Sequence, residues 1–258
     1  MIYLGFYLFT FVLGLVFGSF INSWIWRTRE NIKMQGRSIC INCRRQLKWW
    51  ENIPVASFLY LKGKCRTCHH LIPWRYLAVE IISGLLFLFL GWYRVKYFVF
   101  DPWVYVGDAV FLTVLIIIFV YDWLYKIIPS SVVWFGAVFG LLFNYFYLGI
   151  NISNLLWAAL VAGGFFLVQY VVSRGRWIGG GDVRLGVMMG FWLGIPSVLV
   201  ALFAGYVLGA VFGIIMLLRK RGSMKSEIPF GTFLALGTLL ALYNGTAIVN
   251  WYLNLIKF

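Results

Sequence analysis

Apolar residues fall into runs of about 20, and a helix of that length crosses a hydrocarbon core of about 30 Å. The runs cover residues 2–26, 76–93, 103–121, 132–149, 154–173, 183–195, 197–218 and 229–254. The sixth is short and reads as a half-span or a tilted helix inside a bundle, with Pro196 turning the chain into the seventh. No basic residue precedes the first run and no small-residue cleavage site follows it, so it reads as a retained span and not a removable signal. The pattern predicts an all-α polytopic membrane protein of about eight transmembrane helices. One polar insert, 27–75, is long enough to fold outside the lipid. The expected division is a first helix at 1–26, the insert at 27–75 and a helical bundle at 76–258.

Composition sharpens this reading. Of 258 residues, 62% are hydrophobic and 12% charged, and the mean hydropathy is +0.88. Soluble domains carry about 25% charged residues. Soluble, disordered, fibrous and disulfide-stapled classes are excluded. The formal charge is +14, from 22 Lys and Arg against 8 Asp and Glu. Nineteen of the 22 basic residues lie in segments 27–75, 122–131, 174–184 and 219–228, which share one side if eight spans alternate. That side is then the cytoplasm, with both termini outside. This asymmetry, with attraction of the insert to anionic membrane lipids, accounts for the charge without a nucleic acid partner. Trp24, Trp26, Trp74, Trp92, Trp123 and Trp251 mark span ends as interfacial anchors. No internal repeat is apparent.

All four cysteines lie in the insert: Cys40 and Cys43, then 21 residues, then Cys65 and Cys68. Two CxxC pairs at this spacing suit a tetrahedral thiolate site in a small cytoplasmic zinc-ribbon-like fold, with Zn2+ as its structural metal. Four thiolates leave no open coordination position, so no catalytic metal is expected. His69 and His70 follow as exposed loop residues.

Asp122 ends the third span and Asp182 begins the sixth, at the same membrane edge. Ionisable groups beside spans are costly and point to function. Two carboxylates sharing a proton can act as base and acid on a water and a scissile carbonyl. Asp108 lies about 21 Å from Asp122 along a helix at 1.5 Å per residue, and does not meet that depth. Gly179, Gly180 and Gly181 before Asp182 allow close approach of another backbone. Capping or ion pairing by the aspartates is the plainer alternative. The helix dipole favours the anion at Asp182, which begins a helix, over Asp122, which ends one.

At these residues the chain resembles the type IV prepilin peptidases. Gly18-Ser19-Phe20-Ile21-Asn22 with Arg27, the stretch Cys40 to Glu80, Asp122 with Ile128-Pro129, Gly179 to Leu185 (GGGDVRL) and Ile228 to Gly237 (IPFGTFLALG) carry the likeness nearly end to end. The resemblance implies a membrane aspartyl endopeptidase with Asp122 and Asp182 as its dyad. Its substrates would be type IV prepilins or pseudopilins, cut at the cytoplasmic face of a bacterial inner membrane after a short basic leader. It also implies N-methylation of the new terminus with S-adenosylmethionine, an activity that accompanies the cysteine insert. Arg184, Thr232, Leu124, Thr28 and Ser130 depart from the family pattern. Gly179, Gly180, Gly181, Glu80, Glu227, Pro229, Phe230 and Gly231 are candidate substrate contacts, the two glutamates for a basic leader. The rival readings are a zinc-ribbon membrane scaffold and a proton-coupled transporter with structural aspartates.

Overall fold

The computed structural model describes residues 2–219 and 228–256. Among them, nine α-helices carry the fold: α1 (Ile2–Arg29), α2 (Ala56–Tyr60), α3 (Trp74–Tyr97), α4 (Pro102–Tyr125), α5 (Ser130–Leu142), α6 (Ile152–Ser173), α7 (Gly180–Leu193), α8 (Ser197–Leu218) and α9 (Phe230–Ile256). A π-helical segment, Phe143–Tyr147, extends α5, and a single 3-10 turn, Trp49–Asn52, lies in the insert. No β-strand forms among the described residues, only two isolated bridges.

Among the described residues, seven helices are long and apolar enough to cross a membrane. The remaining predicted span is α7, whose 14 residues rise about 21 Å at 1.5 Å per residue, short of a full crossing. The expectation of a short sixth element is met. Proline and asparagine set several boundaries. Pro73, Pro129 and Pro196 stand immediately before α3, α5 and α8, while Asn151 caps α6 by accepting the Ser153 N–H at 2.9 Å. At the other end of α6, Arg174 and Gly175 turn the chain with φ of 53° and 75°.

The chain forms two compact units, residues 1–113 and 114–258, with the boundary inside α4. In the first, α1 and α3 pack closely with the insert between them in sequence. A Cβ on Gly14 would lie 2.5 Å from the Ser83 carbonyl, and one on Gly18 would lie 2.7 Å from the Glu80 Cα. Asn22 ties the same pair by donating to the Tyr76 carbonyl at 2.9 Å. In the second unit α7 packs against α5, α6 and α9. Its Gly190 lies so close to α6 that a Cβ would sit 2.3 Å from the Ala159 nitrogen. Small residues at both crossings maximise the backbone contact available where lipid supplies no hydrophobic drive. The outward faces stay apolar, with Leu4, Leu8, Phe203 and Leu218 exposed as expected for surface that meets lipid.

Candidate functional sites

The insert is organised by two similar knuckles. In the first, Arg44 N–H donates to Cys40 O and Cys40 N–H to Arg45 O; in the second, His69 N–H donates to Cys65 O and Cys65 N–H to His70 O. Arg44 and His69 both have positive φ, 58° and 54°, and the bridges Ile39–Gln46 and Lys64–Leu71 close each loop. This is a structural repeat that the sequence conceals, because the cysteines are nearly all the two loops share. The four Sγ atoms lie within 4.8 Å of one another, and Cys40 and Cys68 are 3.9 Å apart. A tetrahedral thiolate site with bonds of about 2.3 Å has sulfur–sulfur edges near 3.8 Å, so the four cysteines fit a closed metal centre. Burial pushes the Cys40 thiol up to about 11. Burial acts in the same sense on Cys65, but N–H groups of Cys68 and Thr67 bring it down to about 6, favouring a thiolate. His69 and His70 are exposed and stand outside the sulfur cluster.

Ion pairs brace the insert. Glu51 is buried and takes Arg45 Nη1 and Nη2 at 2.9 and 2.8 Å, with the Lys48 N–H at 2.7 Å. That paired guanidinium holds Glu51 below the usual carboxylate range. Arg27, at the end of α1, reaches the carbonyls of Lys33, Met34, Gln35, Gly36 and Arg37 at 2.6 to 3.4 Å. It thereby folds the start of the insert around one side chain.

The two sequence-selected aspartates lie in the second unit and are both buried, 4% exposed at Asp122 and 7% at Asp182. Asp122 stands in the last turn of α4 and Asp182 in the first turn of α7. Ile128 is wedged between α7, which carries Asp182, and Gly231 of α9, which packs beside Asp122. A Cβ on Gly181 would lie 3.0 Å from Ile128 Cβ; one on Gly231 would lie 2.7 Å from Ile128 Cδ1 and 3.1 Å from Asp122 Oδ2. Gly181 immediately precedes Asp182 and Gly231 lies beside Asp122, so both aspartates border the same Ile128 side chain. Asp122 Oδ2 accepts the Thr232 N–H at 2.8 Å and lies 3.2 Å from the Thr232 hydroxyl. Asp182 Oδ2 accepts the Gly179 N–H at 3.1 Å, while its Oδ1 is buried with no hydrogen-bond partner among the described residues.

The other candidates divide. Gly179 caps α7 through that N–H, Gly181 gives Ile128 its room, and Gly180 borders open space. Gly231 packs beside Asp122, Pro229 is buried, and Phe230 sets its ring edge-on against Tyr206 and Phe166 at 5.0 and 6.0 Å. Glu227 lies outside the described residues. Glu80 belongs to the other unit, where its carboxylate accepts the Val55 N–H at 2.8 Å. Asp108 is paired with Arg94, whose Nε donates at 2.6 Å. Sequence reasoning passed over Thr232 as a mere departure. Two further departures meet, since Arg184 donates to the Ser130 hydroxyl.

Fold and sites together define a multi-pass helical membrane protein with a tetracysteine insert and a buried carboxylate pair. Two family profiles match: Bacterial Peptidase A24 N-terminal domain over residues 12–94, and Type IV leader peptidase family over residues 109–214. Curated relatives named prepilin leader peptidase/N-methyltransferase include one from Bacillus subtilis (strain 168), 32% identical over 95% of this chain and 97% of its own. Another, from Stutzerimonas stutzeri, is 31% identical over 97% and 95%. A third, from Pseudomonas aeruginosa, is 30% identical over 99% and 96%. No solved structure matches significantly. The chain belongs to the type IV leader peptidase family and is a peptidase of that kind.

Proposed function

We propose that this protein is a membrane aspartyl endopeptidase that removes the basic leader of type IV prepilins or pseudopilins, with Asp122 and Asp182 as the dyad. The observation that carries the reading is the burial of both carboxylates on either side of Ile128 inside a helical bundle. Two carboxylates in mutual reach do not both ionise readily, so they hold one proton between them. The ionised partner takes a proton from water, and the protonated partner polarises and then protonates the peptide group.

The donors choose between them. The amide and hydroxyl of Thr232 converge on Asp122 beside the Gly231 N–H, whereas Asp182 Oδ1 has no hydrogen-bond partner among the described residues. Hydrogen bonds to a carboxylate favour its charged form. Asp122 is therefore the base at rest and Asp182 Oδ1 holds the shared proton, opposite to what the helix dipole alone predicts. The dipole loses because its pull on Asp182 is spread over the first turn, while the Thr232 donors act at contact distance.

The site works at the cytoplasmic face of a bacterial inner membrane, with both termini outside. Support comes from the basic segments, which fall on one side, and from α7, which enters from that side and turns back through Pro196. The glycines at 179–181, with Pro229, Phe230 and Gly231, form the wall along which an extended leader lies. The four cysteines hold a structural Zn2+, which fixes the insert and supplies no chemistry to the cut. N-methylation of the new terminus with S-adenosylmethionine, named in the relatives, belongs to the same reading.

Co-expression with a prepilin from the same genome tests this, with the product N-terminus read by mass. Wild type is expected to release the leader, and Asp122→Asn and Asp182→Asn to leave it attached at unchanged protein levels. Leader release by both variants would overturn the dyad and return the scaffold and transporter readings.

A further inference from the structure

The stretch of the insert that holds the 3-10 turn and α2 has an inner and an outer side. Glu51, Phe58 and Leu61 line a cleft of the first unit, between the insert and the ends of α1 and α3. Trp49, Ile53, Leu59 and Tyr60, from the same stretch, are 75%, 41%, 64% and 76% exposed. The outer residues belong to one tip, because the Trp50 ring meets the Tyr60 ring edge-on at 5.7 Å and joins the two turns. Large apolar side chains gathered on the surface of a polar insert mark a face that another surface covers.

Depth is the first indication of what covers it. Val55, between the two turns, donates its N–H to the Glu80 carboxylate at 2.8 Å. Glu80 lies six residues into α3 from Trp74, the exposed interfacial residue that opens this span, or about 9 Å at 1.5 Å per residue. Val55 has φ of 61°, a left-handed conformation that a β-branched residue adopts only at a cost. A strained turn tied to a buried carboxylate thus brings the tip alongside α3. Interfacial elements lie about 5–10 Å into the boundary between headgroups and acyl chains, which is the depth this bond sets.

Charge is the second. Both acids of segment 27–75 are already paired, Glu30 with Arg44 at 2.9 Å and Glu51 with Arg45 at 2.8 Å. Lys48, Lys62 and Lys64 flank the tip, are exposed, and form none of the described ion pairs. Aromatic and apolar side chains bordered by lysines fit a bilayer with acidic headgroups, the rings at the acyl boundary and the ammonium groups at the phosphates.

We propose that residues 48–64 form an interfacial anchor that docks the insert onto acidic phospholipids of the bilayer crossed by α1 and α3. The anchor is independent of the paired aspartates, which belong to the other unit.

Full-length protein in lipid nanodiscs provides the test. The emission of wild type minus that of Trp49→Phe isolates Trp49, and Phe keeps an apolar ring at the tip. Phosphatidylcholine with brominated acyl chains is expected to quench that difference. Hydrogen exchange at residues 48–64, read by mass, is expected to slow about tenfold when phosphatidylglycerol replaces part of the phosphatidylcholine, since each lysine near an acidic surface contributes about fivefold. Lys48→Gln, Lys62→Gln and Lys64→Gln together should remove this lipid dependence, and Arg at the same three positions should retain it. Trp49 emission that bromine leaves unchanged, whether the ring faces water or a second copy of the chain, overturns the anchor. Equal exchange in the two lipids, or a lipid dependence that survives all three Gln substitutions, overturns the acidic headgroup as its partner. Neither measurement reads prepilin cleavage, so the peptidase reading stands or falls separately.

Discussion

Around the insert, buried charge is matched. Arg27 spends its guanidinium on five carbonyls, and Glu51 faces Arg45 and the Lys48 N–H together. Around the dyad it is not. Asp122 meets only neutral donors, the amide and hydroxyl of Thr232 and the Gly231 N–H, and Asp182 buries an oxygen with no hydrogen-bond partner among the described residues. Satisfied buried networks rigidify a fold, whereas an unsatisfied polar atom costs stability and survives where chemistry uses it. On the proposed function the matched charge of the insert serves architecture and the pair serves reaction, and each substitution below presses on one side of that contrast.

The largest effect belongs to the carboxylates. Asn at 122 or 182 cannot exchange the shared proton, and cleavage is expected to fall by about 1,000-fold or more, since each variant removes an acid–base partner worth about 10²–10⁴. Because Asp182 is incompletely satisfied, Asp182→Asn should unfold no more easily than wild type, measured as the thermal midpoint in detergent. A clear loss of stability there would make Asp182 an architectural residue and erase the contrast.

Metal removal comes next and should act only on the insert. Structural tetrathiolate zinc is worth about 10–16 kcal/mol in small domains. Chelation, or Cys40→Ser with Cys65→Ser, is therefore expected to open residues 38–72 to protease, read by mass mapping, and to release one zinc per chain. Equal protease resistance with and without metal would show that the ion pairs alone hold the knuckles.

The ion pairs are expected to contribute less. Glu51→Gln should cost about 2 kcal/mol, in the range for a hydrogen bond to a charged group. Arg27→Lys keeps the charge but loses the planar fork that reaches several carbonyls at once, at a similar cost. Glu51 also sets a pH limit. Its folded pKa is depressed, so its contribution is fully present above the unfolded value of about 4.3 and is lost as pH falls through the folded value. Urea unfolding of the insert at pH 7 and at pH 3.5 checks the sign: Glu51→Gln should lose its deficit relative to wild type as the pH falls.

These contrasts were unevenly legible in the sequence. The spans were, because lipid forces about 20 apolar residues per crossing, and α7 stood out by falling short. The cysteine cluster was, because CxxC spacing encodes a local loop. The knuckle repeat was not, since it resides in backbone hydrogen bonds at Arg44 and His69 and not in side-chain identity. The gathering of Ser19, Ser57 and Glu80 around one cleft was not, because they meet only once α1, the insert and α3 have packed. The proposed proton assignment departs from the one the dipole predicts because the helix dipole can be read from position, whereas the direction of the Thr232 N–H cannot.

Thr232 offers the finest test of the reversal. Its hydroxyl has one proton and two acceptors within reach, Asp122 Oδ2 at 3.2 Å and the Phe119 carbonyl at 3.3 Å. An ionised Asp122 draws the hydroxyl proton to itself. When Asp122 takes a proton from water, the hydroxyl can turn to Phe119, so the donor follows the charge through the reaction. Thr232→Val keeps the backbone N–H and the branched shape but removes this movable donor. One hydrogen bond of about 1 kcal/mol gives a loss of about fivefold. That loss should fall on kcat with KM unchanged, because the hydroxyl faces Asp122 and touches no part of the leader wall. Thr232→Ser restores a hydroxyl and should recover most of the rate. A Val variant that cuts at the wild-type rate would place the working anion on Asp182, and the dipole would after all decide the pair.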